Sequence, residues 1–141
     1  MLALAVVICE CGPVGAAEEG SLAASAPVPD AGELLMPAQP SPWQAEARFM
    51  VANADELLEL LEVAGVANRA HPPQLSTVVS ADLLFEDGDI TGETWLTRSD
   101  LALLGAHAAP EMGERINAWD AFSRVFEDAG HATRLIVWFI R

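Results

Sequence analysis

The chain has 141 residues, 52% of them hydrophobic and 20% charged, with 21 acidic residues against 7 basic ones and a net charge of −14. That length suits one domain with an appendage, and the apolar fraction suffices for a packed core. The negative field repels phosphate backbones and anionic headgroups, so nucleic acid is excluded as the favoured partner and a basic protein surface or a cation is favoured. The bland alternative is that excess acid only keeps a small domain soluble.

The N terminus, "MLALAVVICECGPVGAAEEG", opens on an uncharged apolar run over 2–9. It has the length of a secretory h-region and is far short of the roughly 20 residues of a membrane helix. Pro13 and the small residues Val14, Gly15, Ala16 and Ala17 follow, so residues 1–17 are expected to be a signal peptide cleaved after Ala16 or Ala17. The front carries no basic residue, and Glu10 intrudes directly after the run; both depart from a clean signal. The competing reading is a buried strand "LALAVVI" in a cytoplasmic domain; an uncleaved membrane anchor is the third. Cys9 and Cys11 both lie here, so cleavage would leave no thiol for a disulfide, a zinc site or a nucleophile.

Residues 18–41 are rich in Ala, Pro, Ser and Gly without apolar periodicity and are expected to be a flexible linker. A single domain is expected over 42–141. "SPWQ" has the form of a capping box on Ser41 with Pro42 at the first helical position. "NADE" offers a second cap at Asn53, ahead of "LLELLEVAG" with its stop at Gly65. Two caps so close together favour a strand over 47–52 followed by a helix over 54–64, rather than one helix over 42–64.

"NRAHPPQ" is a loop, because consecutive prolines suit neither helix nor central strand. In the next segment, "LSTVVSADLLFEDGDITGETWLTRS", Asp87-Gly88 between β-rich runs predicts a type I′ hairpin. Its register would set Phe85 opposite Ile90, Glu86 opposite Asp89, Asp82 opposite Glu93 and Ser80 opposite Trp95. Asp82, Glu86, Asp89 and Glu93 would then share one face with Trp95, as like-charge cross-strand pairs relieved by solvent, by an internal Arg or by a cationic ligand. These five residues are the candidate binding site, with Trp95 as an aromatic contact for an Arg- or Lys-bearing partner. An EF-hand fails here, since Arg98 stands where a bidentate carboxylate is required.

"RSDLALLG" is a short helix capped by Ser99 and stopped at Gly105. "PEMGERINAWDAFSRVFEDAG" is a helix with Met112, Ile116, Trp119, Phe122 and Phe126 along one stripe. "ATRLIVWFIR" is apolar on both strand faces and so central in its sheet. The fold class is α+β: a small antiparallel sheet with two helices on one face, in split-βαβ (ferredoxin-like) order, or α-β-β-α-β without the first strand. His71, His107 and His131 lie in loops or at a helix end without metal spacing, and no catalytic motif is present. No catalytic residue, metal ligand or cofactor is assigned.

The expected function is a small acidic exported protein, secreted or periplasmic, acting as a non-catalytic protein-binding module such as an inhibitor, an immunity-type factor or an assembly accessory. Without its leader it would have no stable membrane insertion. The alternatives are a hydrolase using His107 or His131 with carboxylates, and a cell-envelope structural protein held by an uncleaved N terminus.

Overall fold

The computed structural model describes residues 2–14 and 41–141. The linker expected over 18–41 falls, apart from Ser41, outside the described residues. The order is β1 (Leu4–Pro13), β2 (Gln44–Val51), α1 (Ala54–Val63), α2 (Thr77–Phe85), β3 (Ile90–Leu96), α3 (Arg98–His107), α4 (Pro110–Asp128) and β4 (His131–Ile140). The strands form an antiparallel sheet in the order β2-β1-β4-β3, and the class is α+β.

The segment expected as an h-region is β1, one of the two central strands. It pairs with β2 on one side and along its whole length with β4 on the other, from Leu4 opposite Ile140 to Pro13 opposite His131. A run that is apolar on both sides is what a strand buried on both faces requires, and Ala5, Val6, Val7, Ile8 and Cys9 are all buried. The folded unit therefore includes residues of the expected 1–17 leader and does not begin at 42. β4 is central as its sequence requires, and the strand-then-helix reading of 44–63 holds.

Alternation along the strands sends odd residues of β1 and β4 to one face and even residues to the other. On the first face Ala5, Val7, Leu135, Val137 and Phe139 pack with Leu57 and Leu61 of α1, Leu101 and Leu104 of α3, and Met112, Ile116 and Trp119 of α4. On the second face Val6, Ile8, Ile136 and Trp138 meet Val79 and Leu83 of α2. Helices thus cover both faces, three on one and α2 on the other, which replaces the expected two helices on one face in split-βαβ order.

The largest departure is α2. Residues 77–85 are helical, so the hairpin with Phe85 opposite Ile90 and Asp82 opposite Glu93 does not form, and β3 pairs with β4 instead. Ser76 decides the matter locally. Its backbone is extended, and its side chain accepts a hydrogen bond from the Val79 N–H, satisfying a donor that the helix start would leave unpaired. Gly88 sits in the α2–β3 connection for a steric reason, since a Cβ there would lie 2.5 Å from Cγ2 of Ile140. A bulge interrupts β3 between Thr91 and Thr94, and Gly92 takes it with φ of 64° while pressed against Phe139.

The other helix starts are also specific. Thr97, not Ser99, caps α3: its side chain accepts from the Asp100 N–H while the Asp100 carboxylate accepts from the Thr97 N–H. Gly105 lies inside α3 and does not end it. Ser41 does not start a helix; its hydroxyl accepts from the Trp43 N–H just ahead of β2.

Candidate functional site

Glu10 lies on the second sheet face, fully buried, opposite Arg134 of β4. One carboxylate oxygen accepts from Nε of Arg134 at 2.6 Å and the other from the Ser76 N–H at 2.7 Å. Arg134 donates onward to the carbonyls of Pro73 and Gln74, both at 3.1 Å, and its guanidinium lies 3.9 Å from the ring centre of Trp43. Burial pulls the Arg134 pKa down, and the charge of Glu10 opposes that pull. A buried ion pair is tolerable only when its remaining hydrogen-bonding groups are satisfied, and these partners supply that. The cluster fixes the loop before α2, where Asn68, Ala70 and Gln74 all hold positive φ, and it fixes the start of α2.

From that anchor α2 runs back along β1 towards Val6 and Trp138. Its nine residues rise about 13 Å, close to the four-residue step from Glu10 to Val6 at about 13 Å along a strand. The helix "TVVSADLLF" carries apolar residues on more than one side, with only Thr77, Ser80 and Asp82 polar, a pattern expected of a largely buried helix. Here Val79 alone is fully buried. Val78 is half-exposed, while Leu84 and Phe85 are 77% and 76% exposed.

Beside Phe85 lies a cleft of about 180 Å³ lined by Val6, Arg48, Met50, Asp82, Phe85, Glu86 and Trp138. Asp82 forms an ion pair with Arg48 of β2. One oxygen of Glu86 accepts from the Gly88 N–H at 3.0 Å. Trp138 is buried, and its indole N–H has no acceptor. An unpaired buried donor costs about 1–3 kcal/mol. No basic residue stands in the last turn of α2, and Glu86, Asp87 and Asp89 follow directly. Carboxylates at the negative end of a helix dipole are unfavourably placed.

The structure therefore brings Asp82, in α2, and Glu86, just past its end, together in the cleft wall. Asp89, Glu93 and Trp95 do not line the cleft. Asp89 is exposed, with its carbonyl accepting from the Arg141 N–H. Glu93 pairs with Nε2 of His71 at 2.7 Å. Trp95 packs against the second-face core, with Arg69 over its ring at 5.9 Å. Glu10, Arg134 and Trp138 were not singled out from the sequence, although Glu10, a lone charge beside an apolar run, was the visible signal.

Most arginines are neutralised within the fold. Arg69 pairs with Asp100, and Arg98 bridges Asp120 and Glu127 while Arg124 also reaches Asp120. Burial alone would raise the pKa of Asp100, but hydrogen bonds from Arg69 and Thr97 outweigh it and hold that carboxyl below its usual range. The Arg98 hydrogen bond does the same for Asp120. Burial, above all, pushes the Cys9 thiol up to about 11 and the Cys11 thiol up to about 12, the latter helped by its hydrogen bond to Glu46.

His107 lies in a groove of about 220 Å³ with Glu56 and Glu59 in its wall, but no hydrogen bond or ion pair joins it to either among the described residues. Comparison with protein-family models, with curated proteins and with solved structures found no match.

Proposed function

We propose that this chain is a non-catalytic protein-binding module that docks through the outer face of α2. One observation carries the reading: α2 is mostly apolar yet covered on one side only, leaving Val78, Leu84 and Phe85 in solvent. Burying a leucine and a phenylalanine is worth about 1.5–3 kcal/mol each, and adjacent exposed apolar residues with a polar rim are what an interaction surface offers. The cleft beside Phe85 gives that surface a recess for an anchoring side chain. The acidic face expected on a hairpin thus moves to the end of a helix.

An exported form of this domain would have to carry β1 with it, because the sheet is built around that strand. The test is crosslinking of the full-length chain in its native cells, against the Leu84→Ser/Phe85→Ser variant. A heteromeric adduct formed by the wild type and lost in the variant is the expected result. An adduct pattern unchanged by the double substitution refutes the proposal.

A further inference from the structure

We propose that the cleft at the C-terminal end of α2 receives an arginine or lysine side chain from an apolar-flanked segment of a partner protein; this rests on the docking role of α2 argued above. The charge balance selects the occupant. Asp82 and Glu86 face one cation, Arg48, inside the cleft, which leaves one negative charge over. The helix end adds its own negative pole with no basic residue in the last turn, and Asp87 and Asp89 lie just beyond. A second copy of this chain brings a net charge of −14 to the same place and is repelled.

Trp138 gives an independent sign that something is missing. Its indole forms part of the cleft wall, yet the N–H has no acceptor, a state that among the buried side-chain polar atoms of the described residues only Thr133 Oγ1 shares. A peptide supplies a cation for Asp82 and Glu86, and its seating against the Trp138 ring changes the surroundings of that buried N–H. Phe85 in the cleft wall, with exposed Leu84 next to it in sequence, calls for apolar neighbours of that cation.

The experiment is selection of a random peptide library on the full-length chain, with counter-selection on the Leu84→Ser/Phe85→Ser variant. Enriched peptides are expected to combine Arg or Lys with Leu or Phe. They should bind Asp82→Asn/Glu86→Gln about tenfold more weakly, and they should shift the indole N–H resonance of Trp138. Enrichment of neutral or acidic peptides, or equal affinity for the carboxamide variant, overturns the cationic occupant and leaves α2 as a docking face. Cationic peptides that bind without moving the Trp138 resonance overturn the cleft as their site. Failure to enrich any peptide over the counter-selected variant overturns both proposals.

Discussion

On one face of the sheet, three helices bury Leu57, Leu61, Leu101, Leu104, Met112, Ile116 and Trp119 against the strands. On the other, one nine-residue helix buries Val79 and leaves Leu84 and Phe85 in solvent. The first face is closed mainly by apolar packing, with a few buried hydrogen bonds such as that from Thr94 Oγ1 to the Val66 carbonyl and surface ion pairs such as Arg98 with Asp120. The second is pinned at one end by Glu10 and Arg134 and left open at the other. Stability and interaction are therefore divided between the faces: substitutions on the first should change how well the chain folds, and substitutions at the open end of the second should change what it binds.

The strongest break of that division is removal of residues 1–17. It deletes a strand that both faces share, and the remaining chain should show neither cooperative thermal unfolding nor dispersed amide resonances. Next in size are point changes in each core. Leu61→Ala on the three-helix side should cost about 2–5 kcal/mol. Glu10→Gln, which strands the buried guanidinium of Arg134, should cost about 3–5 kcal/mol. Both are read from urea denaturation, and Glu10→Gln should in addition raise hydrogen exchange at the start of α2.

A smaller effect belongs to the ion pairs. Asp100 and Asp120 have pKa values lowered by folding. Their contribution is complete above the ordinary carboxylate value near about 4 and is lost as pH falls through their lower folded values. Melting temperature should drop in that acid range, and Asp120→Asn should make the drop shallower. The smallest effect on stability should come from Leu84→Ser/Phe85→Ser. These side chains are already in water, so the change should stay within about 0.5 kcal/mol for each while binding is lost. The thiols check the intactness of every variant: Cys9 and Cys11 should resist a thiol reagent at pH 8 until the chain is unfolded.

How far the sequence speaks depends on whether a pattern has one physical meaning. The stripe of Met112, Ile116 and Trp119 suits a helix alone, and α4 runs from Pro110 to Asp128 as that stripe requires. The two-sided apolar character of β4 suits a central strand. The run before Glu10 suits two environments equally, a leader and a buried strand, because each demands only uninterrupted apolar residues. Glu10 fits the strand environment because Arg134, 124 residues away in sequence, faces it, a pairing that no local pattern reveals. The segment 77–85 misleads for another reason. Val78 and Val79 favour a strand and Asp87-Gly88 favours a tight turn, whereas Ser76 acts as a helix cap and Gly88 answers a contact with Ile140. Local preference yielded to tertiary packing there. The carboxylates expected together were dispersed accordingly, with Asp82 on the helix, Glu86 just past its end and Glu93 held by His71.

The pairing of β1 with β4 also bears on how the molecule is made. These two neighbours are the first and last strands among the described residues, joined from Leu4–Ile140 to Pro13–His131. Closing so long a loop costs entropy before any contact repays it, and non-local pairing slows folding. During synthesis β1 emerges well before β4 and waits, apolar and without that partner, until the intervening segments have been made. The molecule is thus most exposed to aggregation as a nascent chain.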